Sequence, residues 1–229
     1  MSVRYTVINI GALSCNRLWN ETAPRRTAHA TSTLIRSGST TILVDPSLPV
    51  EAMAHRLDER VGLKPADIDA VFLTTFRPVH RRALSAFDRA SWLMHSVEIE
   101  AVASHLAALE ERASAERSDA ETMRLLRDEQ TLIKKLSAAP DRLTPEVHLF
   151  PAAGASVGSA ALLLAEPART VVVAGDAVLT EEHYDAGRVF EQAVSVEDAR
   201  NAFREIAEIA DEIVPGHDNS FRVRGRWGA

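Results

Sequence analysis

The sequence predicts an α+β or α/β fold in which two β-sheets pack together with helices outside. Three observations predict it: strand-like runs come first, helix and strand then alternate, and the second half of the chain repeats that order. The 229 residues, 46% apolar and 25% charged, suffice to bury the core of one large domain.

The elements follow in order. Residues 5–10 are apolar enough for a strand, and residues 11–26, with Cys15, Trp19, Pro24 and Arg25, read as a long polar loop of the kind that borders a site. Two apolar runs at 31–35 and 41–44 flank Arg36-Ser37-Gly38-Ser39-Thr40, the pattern of a hairpin turning on glycine. The second run ends in Asp45-Pro46. Val50, Met53, Leu57 and Val61 recur at spacings of three and four, which predicts a helix over 50–61 that Gly62 ends with a left-handed cap. Lys64-Pro65-Ala66-Asp67 then turns the chain into Ala70-Val71-Phe72-Leu73-Thr74, a run apolar enough for a strand covered on both faces. A short strand near 91–94 leads to a helix with Ile99, Val102, Leu106 and Leu109 on one face. A second helix over about 120–136 repeats Leu125, Leu126, Leu132, Ile133 and Leu136 near the heptad interval. The segment 97–138 thus reads as a helical insertion in a single domain spanning 1–229. It is either a hairpin packed on its own domain or the surface of a homodimer. Strands are expected again at 146–150, 160–165 and 170–174. Ser195 and Asp198 form a capping box for a helix whose inner face carries Val196, Ala199, Phe203, Ile206 and Ala210, and Ile213-Val214-Pro215 is a last short strand.

Composition excludes several functions. Lysine and arginine total 26 against 32 acidic residues, a net charge of -6, so no overall positive field draws the protein to nucleic acid or anionic lipid. The one contrary signal is Arg222, Arg224 and Arg226, which a strand would align on one face. Cys15 is the single cysteine, so there is no internal disulfide or cysteine-rich zinc module, and its thiol is expected to be a small buried apolar group. No charged leader with an apolar stretch and no membrane-length apolar run is found, which predicts a soluble, cytoplasmic protein. No Gly-x-Ser-x-Gly elbow or phosphate-cradling glycine loop occurs, which removes serine-hydrolase and nucleotide-binding readings.

Five short motifs, in order, carry a resemblance. They are Ile42-Leu43-Val44-Asp45-Pro46; the segment from Asp67 through Thr74 into Thr75-Phe76-Arg77-Pro78-Val79-His80; Gly154-Ala155-Ser156-Val157-Gly158-Ser159; Val171-Val172-Val173-Ala174-Gly175-Asp176-Ala177; and Val214-Pro215-Gly216-His217. Together they resemble the metallo-β-lactamase superfamily over nearly the whole chain. The resemblance implies an α+β fold, the αβ/βα four-layer sandwich, in which two mixed β-sheets pack face to face with helices outside. It also implies metal-dependent hydrolysis by two divalent ions that share and acidify a water. Zinc, manganese or iron suits the imidazole and carboxylate ligands.

The chain departs from the family's H-x-H-x-D-H pattern. Thr75 and Arg77 stand where the first two histidines belong, Val79 replaces the aspartate, and Ala155 replaces the histidine of the Gly-His-Thr-Pro-Gly-Ser motif. The resemblance therefore implies that the first metal position is lost. His80, Asp176 and His217 remain, two ligands of the second position and the bridging carboxylate. These three can hold one metal, or persist as a hydrogen-bonded polar cluster. Arg77 puts a permanent positive charge where a ligand stood, able to bind an anionic small substrate or to pair with Asp176. His183 reads as an exposed residue of a capped helix start, or as a replacement acid, base or ligand, and His29 as a loop histidine near the site's edge. Two functions stay open: a hydrolase with at most one metal, or a catalytically inactive binding or scaffold protein of the same fold.

Overall fold

The computed structural model describes residues 3–224. In chain order the elements are β1 (Arg4–Asn9), β2 (Ser32–Ser37), β3 (Thr40–Val44), α1 (Val50–Val61), β4 (Ala70–Leu73), β5 (Ser91–Met94), α2 (Ser96–Ala115) and α3 (Ala120–Ile133). They continue with β6 (Ser137–Ala138), β7 (Arg142–Thr144), β8 (Val147–Pro151), β9 (Ala160–Glu166), β10 (Arg169–Gly175), α4 (Glu181–Asp185), α5 (Val196–Ile209), β11 (Glu212–Pro215) and β12 (Phe221–Arg222). β1 to β6 form one six-stranded sheet in sequential order, and β12-β11-β10-β9-β8-β7 form a second. Both are mixed: β3, β4, β5 and β6 run parallel, as do β10 and β11, and the remaining pairs are antiparallel.

The four layers follow from the two-residue period of a strand, which sends neighbours to opposite faces. On β4, Ala70 and Phe72 enter the core between the sheets, where Ile35, Ile42 and Val44 meet Leu162, Leu164, Val171, Val173 and Val214. Val71 and Leu73 face the other way, against Met53 and Leu57 of α1, Leu106 of α2 and Ile133 of α3. On the second sheet Val172 and Ile213 turn outward onto Phe203 and Ile206 of α5. The α+β sandwich expected from the motifs is the observed architecture.

Local chemistry sets the boundaries. The β2–β3 hairpin turns on Gly38, at φ +62°, and α1 ends at Gly62, at φ +66°, whose N–H donates to Asp58 O. Ser195 Oγ caps α5 by accepting Asp198 N at 3.2 Å, but only half of the expected box forms, because Ser195 N is taken by Gly154 O. That bond ties the start of α5 to the 154–159 loop. Val196 is exposed, not inward, while Ala199, Phe203, Ile206 and Ala210 are buried. α3 is shorter than its leucine pattern suggested and leaves Leu125 exposed, so only part of that pattern is a packing face. Among the described residues no helix is long and apolar enough to cross a membrane. Of the C-terminal arginines, Arg222 closes β12, Arg224 follows it exposed, and Arg226 lies outside the described residues.

Candidate metal centre

Parallel strands that end together gather the site. Asp45 follows β3, Thr74 and Thr75 follow β4, Asp176 follows β10, and His217 follows β11. Asp45 takes φ +50°, a left-handed position that aspartate tolerates better than most residues. Its carboxylate accepts Thr74 N at 2.9 Å and Thr74 Oγ1 at 2.7 Å, and holds His80 Nδ1 at 2.9 Å. Gly216 lets the two strand ends close on each other, since a Cβ there would sit 2.8 Å from the Gly175 backbone and 3.0 Å from Asp176 Oδ1.

His80, on the short turn Pro78–His80, and Asp176 have no exposed side-chain surface. His80 Nε2 lies 3.2 Å from Asp176 Oδ1, and His217 Nε2 lies 3.0 Å from the same oxygen. His217 Nδ1 donates to the carbonyl of His29 at 3.0 Å, so His29 reaches the site through its backbone. Arg77 Nη1 donates to the other oxygen, Asp176 Oδ2, at 2.8 Å, and its guanidinium lies 4.2 Å over the Phe190 ring. Each of His80, Asp176 and His217 offers one ligand atom, and these atoms all lie within 4.8 Å of one another.

The hydrogen-bond pattern bears on what this trio can hold. Asp45 and the His29 carbonyl are pure acceptors, so both rings keep a proton on Nδ1. In the neutral rings both Nε2 atoms then turn lone pairs toward one anionic oxygen. His80 Nε2 is buried without an aligned hydrogen-bond partner. Two lone pairs and a carboxylate oxygen facing one another require a cation among them, a metal ion or an added proton. Nitrogen and oxygen donors with outer carboxylate and carbonyl supports are the chemistry of a divalent metal site, so the residues fit one ion. With the proton as that cation, burial opposes the charge of His80, but the carboxylates of Asp176 and Asp45 outweigh it and push its pKa up to about 10. Asp176 is likewise disfavoured as an anion by burial, yet His80 and His217 hold it well below the usual carboxylate range.

Around Thr75 and Ala155 the side chains make a hydrogen-bonded cluster on Glu98. Thr75 Oγ1 donates to Glu98 Oε1 at 2.9 Å and lies 3.1 Å from Ser156 Oγ. Phe76 N donates to the same carboxylate at 3.2 Å and Gly158 N at 2.9 Å. Glu98 is 2% exposed. Gly158 admits this approach, because a Cβ there would meet Glu98 N at 2.2 Å. Ala155 is buried beside it and offers no ligand atom. The sequence reading passed over Glu98. Its signal is a spacing of four with Val102 and Leu106, which puts a carboxylate at the head of a packing ridge.

A cavity of about 330 Å³ opens beside His217, the member of the trio on its wall, and is also lined by Arg77, His183, Phe190, Leu179 and Leu13 among others. Cys15 also lines it, half-buried rather than in the core, with Sγ 3.2 Å from Glu21 O. His183 is 7% exposed, which corrects the expectation of a surface histidine. The capped start is present, with Thr180 Oγ1 accepting His183 N at 3.2 Å, but the first turn faces the cleft instead of solvent. Phe190 also escaped the sequence reading, since the connection between α4 and α5 has no periodicity to mark it.

A model of the metallo-beta-lactamase superfamily matches residues 26–217. The chain belongs to this superfamily, whose members are metal-dependent hydrolases. Among solved structures it is similar to a candidate metallo-beta-lactamase from Thermotoga maritima, with TM-score 0.68 and 17% identity over 97% of this chain and 100% of that one. It is also similar to AidC, a dizinc quorum-quenching lactonase, with TM-score 0.67 and 13% identity over 94% and 84%. An AiiA mutant from B. thuringiensis gives TM-score 0.62 and 17% identity over 91% and 88%. At these identities the likeness is one of fold. No curated protein matches the chain in sequence.

Proposed function

We propose that the protein is a metallo-β-lactamase-fold hydrolase with a single-metal site made by His80, Asp176 and His217, acting on a small anionic substrate that Arg77 orients. One observation carries the reading: the Nε2 atoms of His80 and His217 converge on one buried carboxylate oxygen with His80 Nε2 unpartnered, while the other half of the site is filled by Glu98. A divalent ion held there supplies Lewis-acid polarisation of a carbonyl or phosphoryl oxygen. The chain does the rest. Asp45 and the His29 carbonyl fix the two rings so that Nε2 of each points at the ion's position. Arg77, held over Phe190, presents its remaining N–H groups to the cavity. Leu13, Leu179 and Phe190 exclude water from one wall.

Zinc, manganese and iron each suit these ligands. Small-molecule binding in this cleft has a parallel in the relatives, since AidC is described with a product, N-hexnoyl-L-homoserine, and AiiA with N-decanoyl-L-homoserine at its active site. The second reading is a catalytically inactive binding protein. What favours it is the ion pair of Arg77 with Asp176, which competes with a metal for the same carboxylate. Elemental analysis of protein purified without chelator or histidine tag separates the two. We expect about one metal per chain, lost in His80→Ala and in His217→Ala. A metal-free wild type of unchanged fold, or a chain holding a pair of ions, overturns the single-metal reading.

A further inference from the structure

His183 has no part in the site described so far, yet it is buried at the edge of the same cavity as Arg77 and His217. Thr180 Oγ1, itself buried, accepts the backbone N–H of His183 at 3.2 Å and lies 2.8 Å from its ring Nδ1. The hydroxyl hydrogen of Thr180 has no other acceptor among the described residues, so it is donated to Nδ1. That fixes the ring proton on Nε2, for which no protein partner is found among the described residues. Burial also pushes the pKa of His183 below the ordinary histidine value, which keeps the ring neutral with one N–H to offer.

We infer that His183 is a specificity-determining residue whose Nε2–H, together with the Arg77 guanidinium, binds the carboxylate of a monocarboxylate ligand that has an apolar body. The inference rests on the reading of the cleft as a small-anion site and names the anion. The charges in the cavity decide for a monoanion. Arg77 is already paired with Asp176, and Arg17 with Glu191 at 3.6 Å, so the walls offer N–H donors but little net positive charge. A phosphate dianion would find no unpaired arginine among the lining residues to offset its second charge. One carboxylate with two donors is matched, and Phe190, Leu179, Leu13 and Val79 supply the apolar wall for the rest of the molecule.

Phenylacetate is the probe, with phenethylammonium and inorganic phosphate as controls, titrated into full-length protein both as purified and after chelation. Phenylacetate is expected to bind both forms and the controls neither. It should shift the His183 ring nitrogens in long-range ¹H–¹⁵N spectra of the wild type, whose pattern before addition is that of the Nε2–H tautomer. His183→Leu should weaken binding about ten- to hundredfold, as expected for loss of a hydrogen bond to a charged group. His183→Gln, which keeps an N–H at that reach, should restore it to within about threefold of wild type. Unmoved ring signals, the opposite tautomer, undiminished binding in His183→Leu, or preference for phosphate or the ammonium probe each overturns the inference. Its failure is separable from that of the metal reading. His183-dependent binding to chelated protein stands even where no metal is found, and stoichiometric metal with His183-independent binding defeats this inference alone.

Discussion

Two half-sites meet at the strand ends, built on the same backbone and left in opposite states. Around Thr75 and Ala155, Glu98 reaches in from α2 and accepts three buried donors, Thr75 Oγ1, Phe76 N and Gly158 N. Around His80 and His217 the partners stop one atom short: His217 Nε2 meets Asp176 Oδ1 at 3.0 Å, while His80 Nε2 faces the same oxygen without an aligned bond. With a hydroxyl at Thr75 and a methyl at Ala155, the buried backbone donors of Phe76 and Gly158 still need an acceptor, and a carboxylate from a neighbouring helix supplies it. The second half keeps its supports, Asp45 and the His29 carbonyl, and with them a need for a cation.

The largest test of this contrast is Asp176→Asn. It keeps the shape of the side chain but leaves the protonated His80 and Arg77 facing a neutral amide. Removing one member of a buried ion pair costs about 3–5 kcal/mol. Chemical denaturation of the chelated variant should show that loss, and the metal should be absent from the purified protein. A variant as stable as wild type would mean that the two halves do not differ in charge as described.

Next in size is Arg77→Gln, which removes the competing cation from Asp176 Oδ2. A charge-assisted hydrogen bond is worth about 1.5–3 kcal/mol, so zinc affinity measured by chelator competition should rise about ten- to hundredfold. Unchanged affinity would show that the arginine does not compete, and would remove the observation that favours the inactive binding protein. Binding of phenylacetate should fall in the same variant, so metal and ligand affinity should move in opposite directions.

Glu98→Gln probes the closed half. The amide group of glutamine cannot accept from Phe76 N, Thr75 Oγ1 and Gly158 N together, since one of its two heads is a donor. The expected cost is about 1–3 kcal/mol with metal content untouched, read by urea midpoint and elemental analysis on the same sample. Loss of metal in this variant would join the two half-sites into one unit and break the comparison.

How much of this was legible in the sequence follows physical lines. Strands and helices with clean periodicity were readable: the hairpin around Gly38, α1 with its Gly62 cap, β4 and the inner face of α5 all depend on local spacing. The short strands β6, β7 and β12 were not, because two or three residues carry no period and their pairing is set by distant partners. That His80, Asp176, His217 and Arg77 come together was readable from motif position alone. Glu98 and Phe190 were not, since each reaches the cleft from an element whose packing no local pattern states. His183 shows the limit most clearly. Its helix cap was plain from the residues, but the direction in which that turn faces is a property of the whole fold.

A pH dependence tells the proton from the metal. In the chelated protein His80 keeps its proton up to about pH 10, against an ordinary value of 6.5. A raised pKa in the folded state means the contribution to stability is complete below about 6.5 and is lost as pH rises toward 10. Asp176, held below its ordinary 3.8, contributes above that value and loses its share only as pH falls beneath it. The His80 contribution to the urea midpoint of chelated protein should thus decline from about pH 6.5 to 10. A metal on His80 Nε2 must displace the same proton, so zinc binding strengthens over that interval. Zinc-loaded protein should therefore gain on chelated protein as pH rises, and His80→Gln should flatten both curves. Parallel curves for the two wild-type samples would leave the cation requirement of this half-site to the proton alone.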